Sequence, residues 1–194
     1  MKIYSLAVFN NSSKPAKTIC SESDLSSFRF FERGSVKEFI SFFGTTVAER
    51  TQPGQRQSVE QENMFGHVHA RPEGIVTVMV TDQEYPSRVA FCLLNKLGDD
   101  FISQIPKSQW EQTVTFPALQ DYLTKYQDPQ QADPILRVQK ELDETRIVMH
   151  RTIESVLERG EKLDNLVSRS EQLSAQSKMF YTSAKKTNSC CRVM

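Results

Sequence analysis

The sequence lacks the features that identify several common classes of protein. No window approaches the roughly 18 consecutive apolar residues that a transmembrane helix needs. The N-terminal residues Met1–Ser5 are not part of an apolar core with a small-residue cleavage site, so we expect no signal peptide. Basic and acidic residues number 24 each, and the formal net charge is zero. No overall attraction to nucleic acid or to anionic lipid is therefore expected.

Signs of a metal site or of catalysis are also lacking. The four cysteines are scattered or adjacent, without metal-ligand spacing, and are interpreted as reduced thiols: Cys20, Cys92, Cys190 and Cys191. His67 and His69 lie two apart on a predicted strand and share one face, but no third ligand has suitable spacing. An enzyme using Cys92 or this histidine pair has no nucleophile–base signature to support it. We expect no catalytic residue and no metal.

A long heptad stripe is the dominant feature of the sequence, and it covers residues 134–187. Its positions are Ile135, Val138, Leu142, Thr145, Met149, Thr152, Val156, Arg159, Leu163, Leu166, Ser170, Leu173, Ser177, Phe180 and Ala184. A helix over this span would be about 80 Å long, so it could not bury the stripe against a small domain. The pattern predicts packing against partner helices.

Arg159 interrupts the stripe near its centre and is followed by Gly160. A guanidinium keeps its charge in a protein, so burial at a helix seam requires acceptors from the partner helices. Such a polar position would fix the register of a bundle. The alternative is an arginine whose head reaches solvent from an ordinary long helix.

The first 126 residues read as an α+β domain. The pattern predicts strands over residues 2–9, 18–21, 58–70 and 74–81, and helices over 35–50, 85–105 and 118–126. Trp110 is expected to pack the irregular segment between the last two helices onto the domain. Phe39 belongs to the core stripe of the first helix, whereas Phe42 projects about 120° from the centre of that stripe. Phe42 is either an ordinary exposed side chain or an anchor for an intramolecular partner or a lipid chain.

Two segments resemble known families. Glu141–Thr145 and Leu157–Leu163 resemble the motif of an R-SNARE, a family in which one arginine-bearing helix joins three glutamine-class helices in a parallel four-helix bundle. The resemblance implies that Arg159 occupies the central layer and that the other stripe positions form the hydrophobic layers. It further implies the general SNARE disassembly machinery as a partner.

The N-terminal region resembles a longin domain in the segments Met1–Leu6, Val36–Phe39 and Glu84–Phe91. This resemblance implies a five-stranded antiparallel sheet flanked by helices, which folds back on its own SNARE helix. Phe42, together with Phe39, is well placed for that contact.

Two short segments flank the heptad stripe, a linker before it and a tail after it that predicts lipid attachment. Residues 127–133 form a linker in which Asp133 can cap a helix that starts at Pro134. Residues 188–194 form a tail whose last four residues are a C-a-a-X box, and its terminal methionine favours farnesylation of Cys191. One lipid chain gives only marginal attachment, so Cys190 is the expected palmitoylation site.

The whole pattern resembles the prenylated longin R-SNAREs of the YKT class, which lack a transmembrane span. It predicts a cytoplasmic protein that cycles to the cytosolic face of Golgi, ER-derived, endosomal or vacuolar/lysosomal membranes. It also predicts that the longin domain covers the SNARE helix and the lipid in the cytosol. A prenylated coiled-coil trafficking adaptor that does not drive fusion remains the alternative.

Overall fold

Five strands form the antiparallel part of a sheet. The computed structural model describes residues 1–128 and 149–190 of the chain. The strands are β1 (Ile3–Asn10), β2 (Lys17–Ser23), β3 (Arg56–Gln61), β4 (Met64–Ala70) and β5 (Ile75–Asp82). They lie in the order β2-β1-β5-β4-β3, and each neighbouring pair is antiparallel. The five-stranded antiparallel sheet expected from the longin resemblance is confirmed.

Helices cover both faces of this sheet. They are α1 (Arg33–Glu49), α2 (Ser87–Gln104) and α3 (Ala118–Lys125), close to the predicted bounds. A short 3-10 helix (Lys107–Gln109) lies between α2 and α3. Trp110 follows it, is 4% exposed and donates its indole N–H to the Ile105 carbonyl oxygen at 3.1 Å. The predicted role of this tryptophan in packing down the segment is confirmed.

Alternation along the strands divides the core into two clusters. Ala7 and Phe9 of β1 face α1, whereas Leu6 and Val8 face α2 and α3. Helix α1 lies very close to the sheet because β4 carries a glycine opposite it. A Cβ atom at Gly66 would lie 2.6 Å from the Phe43 ring.

The prediction of one strand over residues 58–70 is wrong. The chain reverses at Glu62 and Asn63, so this segment is the hairpin of β3 and β4. Glu62 has a φ of 52°, which non-glycine residues seldom adopt. The sequence has no glycine or proline at this turn, and Asn63 alone is a weak turn signal.

The C-terminal segment folds onto the domain instead of extending from it. It comprises β6 (Met149–Thr152), α4 (Ile153–Val156), α5 (Leu163–Arg169) and α6 (Ala175–Cys190). Strand β6 adds to the edge of the sheet in parallel with β3. The long helix is expected for packing against partner helices, and the sequence leaves open how much of it forms in the unbound chain. Over residues 149–190 the segment is divided into these short elements, whose apolar side chains are buried against the domain.

Some predictions concern positions outside the described residues. They are the linker from residue 129, the capping pair Asp133 and Pro134, the layer positions Ile135, Val138, Leu142 and Thr145, and the proposed prenylation site Cys191. In the described parts of the chain, no helix combines the length and hydropathy needed to cross a membrane.

Candidate functional site

The candidate site is the interface between the domain and the C-terminal segment, residues 149–190. We call this interface the clasp, and the conformation that contains it the clasp conformation. On the domain side it comprises α1 and the β3–β4 region. The segment contributes buried apolar side chains to the same cluster: Ile153, Val156, Leu157, Leu163, Val167, Leu173 and Tyr181. Each is at most 8% exposed, so the segment is part of the core and not a loosely attached tail.

Phe39, which the sequence predicts as a contact of the C-terminal segment, makes an aromatic contact in the clasp. The rings of Phe39 and Tyr181 stack with centroids 5.3 Å apart and planes 23° apart. Phe42 is 8% exposed and belongs to the same cluster as Ile153 and Val156. Phe39 thus contacts the C-terminal segment directly, whereas Phe42 is buried in the cluster to which the segment contributes.

Glu38 provides a polar contact beside this stack. Its carboxylate accepts hydrogen bonds from the Ser174 backbone N–H at 2.8 Å and from the Ser177 hydroxyl at 2.7 Å. The carboxylate thereby joins α1 to the residue before α6 and to the first turn of α6, where a negative charge is favourable. These bonds, the Ser174 N–H foremost, lower the pKa of Glu38 below its ordinary value.

A second polar contact lies at the other end of α1. The guanidinium of Arg50 is 2.9 Å from the Glu161 carboxylate, and the hydrogen bond from Arg50 lowers the pKa of Glu161. Both side chains are less than one-third exposed, which limits screening by water. The contact fixes the turn between α4 and α5 against the domain.

Contacts within the segment join its helices to one another. Asp164 of α5 accepts hydrogen bonds from the Tyr181 hydroxyl at 2.9 Å and from the Lys185 ammonium group at 2.6 Å. Lys178 of α6 donates to the Ser168 carbonyl oxygen at 2.9 Å. Helices α5 and α6 therefore form one hairpin-like unit on the domain.

The heptad layer positions have different environments in this conformation. Val156, Leu163, Leu173 and Ser177 are buried, whereas Met149, Leu166, Ser170, Phe180 and Ala184 are half-buried. Thr152 and Arg159 are exposed. In this conformation the side chain of Arg159 is therefore not buried in an apolar seam, which is the position that the sequence predicts for it. Cys190 is the last residue of α6.

Four buried clasp residues were not predicted from the sequence. Ile153, Leu157, Val167 and Tyr181 each follow a layer position by one residue, and the heptad pattern does not include them. The sequence does contain a signal for them. Apolar residues beside the seam make the apolar face of the segment wider than a coiled coil needs, which indicates a second packing surface.

The histidine and cysteine considered for chemistry are buried in the core. His67 is fully buried, with Nδ1 2.8 Å from the Ser58 hydroxyl and Nε2 3.2 Å from the Thr81 hydroxyl. Burial lowers the pKa of His67 to about 4. Cys92 is fully buried on α2. Within residues 1–128 and 149–190, no three potential metal ligands are grouped to hold an ion.

An antiparallel sheet between helices, joined to an arginine-centred heptad motif that folds back on it, defines a longin-domain R-SNARE. Comparison with known families agrees. Residues 25–130 match the Longin family, described as a regulated-SNARE-like domain, and residues 134–192 match the Synaptobrevin family.

Full-length relatives narrow the class further. The chain is 58% identical over 194 residues to the synaptobrevin homolog ykt6 of Schizosaccharomyces pombe, with 98% of each chain covered. It is 55% identical over 200 residues to the synaptobrevin homolog YKT6 of Saccharomyces cerevisiae, with all of both chains covered. The chain belongs to the Ykt6 family of synaptobrevin homologues. This family is not enzymatic, so the enzyme alternative is set aside.

Proposed function

We propose that this R-SNARE drives fusion of intracellular vesicles by forming a parallel four-helix bundle with three glutamine-class SNARE helices. Residues 134–187 would supply the arginine helix, and Arg159 would donate charge-assisted hydrogen bonds to glutamines in the central layer. Apolar burial along the bundle would release free energy as it zips toward the C-terminal end. With the partner helices anchored in the opposing membrane, zippering would draw the bilayers together. The general SNARE disassembly machinery would return the chain to its free state.

In the free protein the longin domain would hold the motif inactive. The observation that carries this proposal is the burial of Val156, Leu163 and Leu173 against the domain, because these side chains also belong to the bundle layers. One side chain cannot fill both interfaces, so clasp and bundle would exclude each other. The conformation also hides a long apolar face that would otherwise promote aggregation.

Membrane attachment would come from two lipid chains, a farnesyl group on Cys191 and a palmitoyl group on Cys190. A reversible second chain would let the protein cycle between the cytoplasm and Golgi, ER-derived, endosomal or vacuolar/lysosomal membranes. A partly open cavity of about 70 Å³ lies between α1 and the sheet. It is too small for a whole prenyl chain, since a cavity of about 150 Å³ holds only a benzene-sized ligand. Shielding of the prenyl chain in this cavity would therefore require α1 to move away from the sheet.

A prenylated coiled-coil adaptor that does not drive fusion is the second candidate. The exposed position of Arg159 in the clasp conformation provides the discriminating test. Replacing it should leave the free protein unchanged, so any effect on assembly would report on the bundle.

The test mixes the full chain with three glutamine-class SNARE helices. Helicity is followed by circular dichroism, and stoichiometry by light scattering. We expect a gain in helicity and a complex with one copy of each chain, which Arg159→Gln weakens and the matched variant Arg151→Gln does not. Arg151 is also exposed but lies outside the layers. Homodimers, or assembly indifferent to Arg159, would support the adaptor instead.

A further inference from the structure

Two phenylalanines before α1 are presented to solvent. The side chains of Phe30 and Phe31 are 77% and 86% exposed, and their rings meet edge to face with centroids 5.6 Å apart. Single exposed apolar residues are common, but an adjacent pair of aromatic rings forms a continuous apolar projection. Neither the clasp nor the heptad layers use these two residues.

The loop that carries the pair is held in place by contacts with the domain. The Arg33 side chain donates to the Phe28 carbonyl oxygen at 3.1 Å and to the Ser26 carbonyl oxygen at 3.2 Å. The Phe28 ring packs against Tyr4 with centroids 5.1 Å apart. The loop is therefore anchored on both sides while the two following rings point outward. Their exposure is a property of a fixed loop and not of a frayed end.

The exposed charges beside the pair in sequence are basic. Arg29, Arg33 and Lys37 are all exposed, whereas the acidic residues of positions 24–38, which are Asp24, Glu32 and Glu38, are half-buried. The charge that this stretch presents to solvent is therefore mainly positive, although the formal net charge of the chain is zero. Aromatic rings flanked by basic side chains are the combination that binds anionic membrane surfaces, because the rings enter the headgroup boundary and the cations attract the lipids.

We propose that Phe30 and Phe31 form an aromatic wedge that docks the folded longin domain on an anionic phospholipid bilayer. The wedge lies outside the clasp, so docking requires neither opening of the clasp nor bundle formation. Since one lipid chain holds a protein only marginally, even a weak second contact on the same molecule raises the occupancy of the membrane through effective concentration. The proposal is independent of the SNARE function proposed above.

The first experiment measures binding of the full, unlipidated chain to vesicles by sedimentation. Vesicles of phosphatidylcholine with phosphatidylserine are compared with vesicles of phosphatidylcholine alone. We expect binding to the anionic vesicles that falls with added salt, and that falls about tenfold or more in the double variant Phe30→Ala/Phe31→Ala. The matched control is Met179→Ala, which removes another side chain that is 71% exposed, and it should bind like the original chain.

The second experiment locates the contact. In Phe31→Trp the new indole replaces an exposed ring, while the native Trp110 is 4% exposed and stays shielded. We expect a blue shift on adding anionic vesicles, and quenching by brominated lipid, only when position 31 carries tryptophan. Vesicle binding equal in the original chain and the double alanine variant, or unchanged Phe31→Trp emission, would overturn the proposal. Pull-down of a protein through Phe30 and Phe31 without vesicle binding would overturn it too.

Discussion

At the scale of single residues, His67 is a titratable group that is fully buried in the core. It lies in the sheet between the hydroxyls of Ser58 and Thr81, and its ring contacts those of Phe65 and Phe91 at centroid distances of 5.9 and 5.6 Å. The Thr81 hydroxyl donates to the Asp82 carbonyl oxygen, so it accepts from His67 Nε2–H while the Ser58 hydroxyl donates to Nδ1. These bonds satisfy a neutral imidazole, and burial disfavours its charged form. The residue is therefore a structural histidine whose neutral form the fold requires.

This environment predicts a pH-dependent stability. The pKa of His67 falls from 6.5 to about 4 on folding, so between these values the unfolded chain binds a proton that the folded chain does not. The free energy of unfolding should decrease as the pH falls below 6.5, by up to roughly 3 kcal/mol near pH 4. Urea unfolding of the full chain between pH about 7.5 and 5 would measure it, above the range in which most carboxylates titrate.

The matched variants separate this histidine from the others. His67→Gln should lower stability at neutral pH and flatten its dependence on pH, because the amide does not titrate. His150→Gln, which changes an exposed histidine on β6, should keep most of the slope. A slope that survives in His67→Gln would contradict the prediction.

Individual residues also show how far the sequence could predict the clasp. The sequence predicts Phe39 and Phe42 as contacts of the C-terminal segment; Phe39 stacks on Tyr181, and Phe42 is buried in the same cluster. Tyr181 was missed, although it stacks on Phe39, because it lies one position off the heptad seam. Periodicity identifies the face that a helix presents to other helices. Apolar residues beside the seam indicate a wider apolar face, but they do not identify the second surface that covers it, because that surface is built from distant parts of the chain.

At the scale of secondary structure, Gly160 separates α4 from α5. Its φ is +89°, a left-handed conformation that glycine adopts without strain, and a Cβ there would meet no atom within 4 Å. In a bundle helix the same residue would need a negative φ. The clasp conformation thus has a positive φ at Gly160, directly after Arg159, whereas a bundle helix would require a negative φ there.

Gly160→Ala should shift the chain toward the bundle-competent helix. Alanine at positive φ costs about 1–2 kcal/mol, and in a helix it is about 1 kcal/mol better than glycine. Together these effects should move the equilibrium by about 2–3 kcal/mol, visible as faster assembly with glutamine-class helices and higher helicity of the free chain. The matched control is Gly160→Asn, because asparagine tolerates positive φ and forms helices poorly. Equal effects of alanine and asparagine would count against this explanation.

The sequence predicts some of the helices and strands well and others not at all, for physical reasons. Helices α1, α2 and α3 have clear apolar stripes, and their positions follow from sequence within a few residues. The β3–β4 turn uses Glu62 and Asn63, so no glycine marks it. Strand β6 could not be predicted, because its residues lie in a heptad pattern typical of a helix. It exists because the edge of β3 offers backbone hydrogen bonds that local sequence does not record.

At the scale of the whole molecule, the C-terminal segment carries two overlapping apolar patterns. One is the heptad seam, and the other consists of Ile153, Leu157, Val167 and Tyr181, which are buried only by virtue of the clasp. Leu157 is the clearest member of the second pattern. It is one residue, about 100° around a helix, from the layer position Val156, so in a continuous helix it would face away from the seam.

This separation predicts a variant that opens the molecule without harming the bundle. Leu157→Ala removes a side chain that is 8% exposed in the clasp, which should destabilise the closed form by about 2–3 kcal/mol. On the outer face of a bundle the same change should alter stability by less than about 0.5 kcal/mol. Small-angle scattering of the free chain should show expansion, while thermal melting of the assembled complex should stay unchanged. Val156→Ala is the matched control: it lies beside Leu157 but belongs to both interfaces, so it should weaken clasp and bundle alike. If the two variants lowered the melting temperature of the complex equally, clasp and bundle would not use separable residues, and release of the motif could not be controlled from the domain side alone.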